Sequence, residues 1–255
     1  DIFGADIKVS GPFEPEIRID GLLALGGSQG GLTPAAYDQY DSFARDISQQ
    51  VLDANHREAA VPCRPGTQSE PDSGCAEKFL SQYGRRLFRR ALSPADLAPW
   101  VAAAGKATEI SHDFHVGLQI ALSGMLVAPD FLYRTDVVEP DPDRPGHSRL
   151  DGYSKASRLS FLLWNTSPDE ELLAAAERGD LHKAGGLDAQ VERLLDSPRL
   201  TAGIRGFFSD FLGFDAFDTL AKDAVIYPNF RPEVADAARE QTLRVVIDHL
   251  LTRKQ

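Results

Sequence analysis

The chain has 255 residues, 42% of them hydrophobic and 25% charged, with a formal net charge of −11 and a pI near 5.0. This is globular composition, long enough for one large core or two smaller ones, and not that of a disordered chain. The acidic balance argues against nucleic acid, which calls for a basic surface, and no run approaches the roughly 18 apolar residues of a membrane span.

The opening DIFGADIKV reads as the inside of a domain, and the closing LTRKQ falls at a helix end. With no initiator Met and no signal peptide, both ends point to processing or truncation. Strand signals are sparse: Ile7 to Val9 and Ile17 to Ile19 allow a short N-terminal β-ribbon. Gly26-Gly27-Ser28-Gln29-Gly30 matches the Gly-x-Ser-x-Gly elbow of hydrolases, which works only between a strand and a helix with an acid and a histidine to follow. No α/β alternation surrounds it, so a flexible glycine loop is the better reading and a Ser28 hydrolase the weakest function. Nor do these glycines satisfy Gly-x-Gly-x-x-Gly.

Beyond residue 33 the chain punctuates its helices. Thr33-Pro34, Ser93-Pro94, Ser167-Pro168 and Ser197-Pro198 each place a hydroxyl where it can accept from an orphan N–H, and a proline where no N–H is needed. Ser93 to Asp96 and Ser167 to Glu170 resemble capping boxes. Helices are expected at 34–55, 75–90, 94–107, 112–127, 153–164, 168–178, 187–196, 198–213 and 232–252. Leu118, Leu122, Met125 and Leu126 line one face, as do Ala156, Leu159, Leu162 and Leu163. The expected fold is mainly α, multi-helix bundles with the short N-terminal β-ribbon as an option. The expected organisation is a truncated N-terminal helical domain over 1–60, a loop or hinge over 61–74, a helical domain over 75–135, a Pro/Asp linker over 136–149 kept extended by its prolines, and a helical domain over 150–255.

Cys63 and Cys75 are the only cysteines, twelve positions apart in a polar Pro/Gly loop. Closing such a loop would contribute roughly 3 kcal/mol in the chain-entropy model and would imply an oxidising compartment. Two free thiols are the alternative, and two cysteines cannot make a four-Cys zinc site.

Each candidate site competes with a plainer reading. His112 and His115 have the spacing of a metal pair, but no third ligand is near and a solvated first turn is the simpler account. Met125, the only methionine, invites an axial haem role, yet it lies in an apolar run and reads as core. Glu139, Asp141 and Asp143 lack the glycine turn and closing Glu of a calcium loop, so a solvated linker is the default. An inward Arg158 would need a carboxylate, with Asp130, Asp151 and Asp169 as candidates, because an unpaired buried charge is costly. Such an arginine grips carboxylates well, though a structural ion pair locking two helices is the simpler account.

Several blocks carry a resemblance, in order along most of the chain: CAEKFLSQYGRRLFRRALS, then HDFHVGLQIALSGMLVAPDFLYR, then LDGYSKASRLSFLLWNTSPDEELLAAAERGDLH and AQVERLLDSPR. Together they resemble the planctomycete-type cytochrome c-associated family of secreted multidomain proteins. The resemblance implies an extracytoplasmic, periplasmic or extracellular, c-type redox protein. Relatives carry a Cys-x-x-Cys-His haem site that this sequence lacks, so haem c is expected on a partner chain or on a C-terminal portion beyond Gln255, with none covalently attached here. It further implies that this chain is a haem-free subunit or fragment scaffolding the haem-bearing piece and that any enzyme activity is that of a haem-dependent oxidoreductase. It also raises the hypothesis that the precursor is cut after Gln255 with the two pieces staying associated. Tyr133, Arg134, Arg158 and Trp164, all inside the matching blocks, are the residues expected near that haem. The acidic surface suits docking of a small basic electron-transfer protein. The alternative is a non-redox extracytoplasmic binding or assembly module.

Overall fold

The structure is a computed structural model that describes residues 2–4, 6–9, 11, 17–27, 31–223 and 225–252. It is mainly α. In chain order the helices are α1 (Leu23–Gly26), α2 (Pro34–Val51), α3 (Arg57–Ala60), α4 (Ser73–Phe88), α5 (Pro94–Ser111), α6 (Phe114–Leu126), α7 (Pro129–Leu132), α8 (Gly152–Trp164), α9 (Glu170–Glu177), α10 (Ala184–Leu195), α11 (Leu200–Phe211) and α12 (Pro232–Ile247). A strand pair, β1 (Val138–Pro140) and β2 (Ser148–Leu150), precedes α8. The chain divides into two compact units, one of residues 1–14, 32–158 and 167–188, the other of 15–31, 159–166 and 189–255.

The first unit is organised by its caps. Thr33 accepts from the Ala36 N–H at 3.0 Å to start α2, and Asp72 accepts from Cys75 N–H at 2.9 Å to start α4. Ser93 and Asp96 form the expected reciprocal capping box at the start of α5. Asp113 caps α6 through the His115 N–H at 2.8 Å. Phe79, Leu80, Leu87, Phe114, Leu118, Leu122 and Met125 are sealed from solvent and form one core. Helices α5 and α6 approach closely because Gly117 has no side chain: a Cβ there would lie 2.1 Å from Thr108 Oγ1 and 2.5 Å from the Ala104 carbonyl. Cys63 and Cys75 are joined by a disulfide, which ties the polar loop to the first turn of α4.

Three expectations differ from the structure here. The spacer over 136–149 is not an open linker. It folds as an antiparallel hairpin in which Val138 faces Leu150, Glu139 faces Arg149 and Pro140 faces Ser148. Its loop is closed by Asp141 N–H to the His147 carbonyl at 2.9 Å, and proline is tolerated because this is a two-stranded edge. The N-terminal ribbon does not form among the described residues, where Ile19 makes only an isolated bridge to Leu22. The start of α9 shifts by two residues: Asp169, not Ser167, is the cap and accepts from Leu172 N–H at 2.9 Å. Ser28, Gln29 and Gly30 lie outside the described residues.

In the second unit the C-terminal end of α8 meets α11. Gly203 has its Cα so close to α8 that a Cβ would fall 2.0 Å from the Leu163 carbonyl oxygen. Trp164 is 3% exposed and its Nε1–H donates to the Leu194 carbonyl at 2.9 Å. The guanidinium groups of Arg193 and Arg199 lie 5.5 and 5.1 Å from its ring centre, a cation–π arrangement on a buried indole. Arg18 joins Asp210, at 3.0 Å, to Asp215. Arg205 grips Glu240 with two bonds of 2.7 Å. The expected 198–213 helix starts at Leu200, after a turn in which Ser197 Oγ accepts from Arg199 N–H at 3.2 Å. The expected 232–252 helix is α-helical to Ile247 and continues as a π-turn over Asp248–Thr252.

Candidate functional site

The best-built polar feature lies in the first unit and begins with a helix end. Helix α4 stops at Phe88, and Arg89 adopts a left-handed conformation, φ 58° and ψ 28°. This conformation is rare without glycine and needs compensation. The compensation is visible: Arg89 is 7% exposed, and its Nη1 donates to the carbonyls of Leu87 at 3.0 Å and Phe131 at 3.3 Å. Its Nη2 donates to those of Asp130 at 2.5 Å and Tyr133 at 2.9 Å. A buried guanidinium held by main-chain oxygens thus pins the one-turn helix α7 and the strand-like segment that leaves it. Burial pulls the Arg89 pKa below its ordinary value, with Asp130 opposing.

Arg90, the next residue, turns outward. It makes bonds of 3.2 and 3.1 Å to Asp96 and reaches Asp130 at 3.3 Å. The Arg90 guanidinium, then the Ser93 hydroxyl and N–H, hold the Asp96 carboxyl far below the usual carboxylate range. On the opposite side, Asp151 accepts from Ser154 N–H at 2.7 Å at the start of α8, and Ser154 Oγ accepts from Val137 N–H at 2.8 Å. Between these walls is a groove of about 410 Å³ floored by Arg89 and bordered by Tyr133, Arg134, Tyr153 and Ser157.

The residues expected near a haem are therefore distributed unevenly. Tyr133 and Arg134 share this groove. Arg158, also in the first unit, is exposed and pairs with Asp136, which it holds below the ordinary carboxylate range; none of Asp130, Asp151 or Asp169 is its partner. Trp164 belongs to the second unit and is core. A side chain sealed to that degree cannot touch a partner. His112 is the left-handed cap that ends α5, whereas His115 is in α6 and buried, so the two do not share a helix face. Met125 is fully buried core. Asp141 is engaged by Arg144 at 2.9 Å, and among the described residues no group of His, Cys, Asp and Glu could hold a metal ion.

Two functional-looking clusters escaped the sequence reading. Arg89 was hidden inside an expected helix, although a double arginine after an amphipathic helix marks a C-terminus. The second cluster joins hairpin to helix. Arg149 contacts Glu139 at 2.7 Å, His182 Nε2 lies 3.4 Å from the same carboxylate, and Lys155 Nζ lies 3.1 Å from His182 Nδ1. Burial first, then the Lys155 and Arg149 charges, push His182 below its ordinary value. The neutral ring then accepts from the ammonium group.

Fold and site define a mainly α, disulfide-tied chain of two units with a guanidinium-floored groove in one of them. Residues 75–136 match the family described as PSD5, protein of unknown function (DUF1595), and residues 150–255 match PSD4, protein of unknown function (DUF1592). Both are typical of planctomycete cytochrome c-associated proteins. No curated protein and no solved structure matches the chain. Covalent haem does not fit the residues present. A c-type haem is attached through Cys-x-x-Cys-His, and here both cysteines are consumed by the disulfide, leaving no thiol for a thioether bond.

Proposed function

We propose that this chain is a haem-free helical part of an extracytoplasmic c-type redox assembly, scaffolding and shaping access to haem carried by a partner chain or by another part of the same precursor. The observation that carries the reading is the order of the two family matches, PSD5 then PSD4, on one chain. The disulfide supports an oxidising compartment, and no helix among the described residues is long and apolar enough to cross a membrane. In this reading Tyr133, Arg134 and Arg158 face the haem-bearing portion, and Trp164 serves the core of its own unit. A small basic electron-transfer protein is the further partner proposed for the acidic surface.

The second reading, a non-redox extracytoplasmic binding or assembly module, draws on the second unit. Phe207 and Phe211 stack in parallel at 5.9 Å on α11 while remaining 56% and 60% exposed, as a contact surface would.

The test is a reduced-minus-oxidised absorption spectrum of material purified from the native source, followed by a haem-stained denaturing gel with peptide mapping. Haem on a separate co-purifying band assigns it to a partner. Haem on a band that also yields these peptides assigns it to the same polypeptide. Absence of haem from the purified material overturns the redox reading and leaves the assembly module.

A further inference from the structure

The groove above Arg89 holds two polar groups that the fold does not use. A guanidinium has five N–H donors. Four hydrogen bonds to carbonyls account for both Nη atoms of Arg89, and Nε–H has no partner among the described residues. Ser157 is 6% exposed and borders the same groove, and its hydroxyl also has no partner among the described residues. The sealed side-chain atoms without a partner lie elsewhere, at Ser48 Oγ and His115 Nδ1, so the Arg89 Nε–H and the Ser157 hydroxyl are open to solvent at the groove, where a ligand that displaces water can take both. The Arg89 charge adds a sign to this argument. All its hydrogen-bond acceptors are neutral carbonyls, and the acidic neighbour Asp130 is shared with Arg90. A buried cation without a carboxylate bonded to it favours an anion.

The rest of the lining narrows the choice. Tyr133 and Tyr153 give the groove aromatic walls, which suit a flat apolar body. Asp130 and Asp151 stand at the same groove and repel a second negative charge, selecting against phosphate and other multiply charged ions. We propose that this groove binds a small monocarboxylate with an aromatic or otherwise flat apolar body, its carboxylate taking the spare donors of Arg89 and Ser157. The inference rests on the groove alone and is independent of the redox reading: haem spectra do not bear on it, and its own failure leaves that reading untouched.

The probe is benzoate, titrated into the isotopically labelled chain and followed by backbone amide shifts, with benzyl alcohol and inorganic phosphate as comparison ligands. Saturable shifts are expected in the millimolar range at the amides of residues 133–135 and 153–157, with no saturation by benzyl alcohol and only weak response to phosphate. Loss of one hydrogen bond in Ser157→Ala weakens benzoate about 3- to 10-fold, and Arg134→Gln weakens it by a similar factor through the lost charge. Lys106→Gln, on α5 and away from this groove, keeps the parental affinity. Arg89 itself is left intact because it holds the fold. The proposal is overturned by absence of saturable benzoate shifts, by equal binding of benzyl alcohol, by phosphate binding as tight as benzoate, or by unchanged affinity in both Ser157→Ala and Arg134→Gln.

Discussion

Arg89 and Tyr133 are joined side chain to main chain: an Nη2 of the guanidinium donates to the Tyr133 carbonyl at 2.9 Å across 44 positions of sequence. The bond closes the segment after α7 against the end of α4, and it brings the Tyr133 side chain to the rim of the groove. Stability and site geometry are therefore coupled at one residue.

Replacing Arg89 by Met should destabilise the first unit by about 3 kcal/mol or more, since buried carbonyls lose a charged donor. Arg89→Lys should recover only part, because an ammonium has three donors and no planar fork. Urea unfolding followed by circular dichroism measures both. Equal stability of the methionine variant and the parent would show that the carbonyls find water instead.

Gly203→Ala should cost about 1–3 kcal/mol by overpacking, because the new methyl would lie within 2.0 Å of the Leu163 carbonyl oxygen. Helix propensity alone favours alanine by up to about 1 kcal/mol, so the sign of the change decides between the two effects. Fluorescence of Trp164, one residue from the contact, reports it once Trp100 is replaced by Phe in parent and variant alike.

The Cys63–Cys75 disulfide closes a twelve-residue separation, worth roughly 3 kcal/mol in the chain-entropy model. The Cys63→Ser/Cys75→Ser double variant should melt lower by a corresponding amount. Reducing agent should shift the parent and leave the double variant where it is. A melt of the parent insensitive to reductant would mean that the loop contributes nothing to the cooperative unit.

Glu240 has its pKa lowered from 4.5 to about 2, first by its hydrogen bonds from Arg205 and then by those from Arg244. A depressed carboxylate contributes stability that is full above its unfolded value and is lost as protons bind the fold. The loss falls between pH 4.5 and about 2. Glu240→Gln should flatten the stability profile in that window, as read by thermal melts at stepped pH.

His182 behaves with the same sign at higher pH. Its folded pKa lies below the ordinary 6.5, so the unfolded chain takes the proton first. The stability contributed by the neutral ring is complete above 6.5 and declines as pH falls from there toward the folded value. His182→Gln should remove this slope, and ring-proton shifts in the folded chain should place the His182 titration below the ordinary 6.5.

The sequence made the helices legible wherever a local rule operates. Thr33-Pro34 and Ser93 to Asp96 act within one turn, and both caps form as their spacing requires. Ser167-Pro168 satisfied the same rule, but Asp169 supplies a stronger acceptor two residues later and wins. Cys63 and Cys75 were readable because only one pairing exists. The hairpin was not readable, since Pro140, Asp141 and Asp143 have the composition of a linker and pairing depends on Arg149 meeting Glu139 across the turn. Tyr133 and Arg134 could be named from the sequence, but the groove they border could not. Its floor is an arginine whose burial is set by carbonyls 41 to 44 positions away, and no pattern along the chain announces such a contact. Arg158 shows the converse: its partner Asp136 stands 22 positions earlier, outside the set of candidate acids Asp130, Asp151 and Asp169.

Arg89 recognises main chain and not side chains along α7 and its exit. Carbonyl oxygens are present whatever residues occupy positions 131 and 133, so this clasp is indifferent to their identity. The rim of the groove can therefore be rewritten, for instance by Tyr133→Phe or Tyr133→His, with the scaffold still closed by the same hydrogen bonds. Recognition and architecture are separable here, which makes position 133 a natural place to retune what the groove accepts.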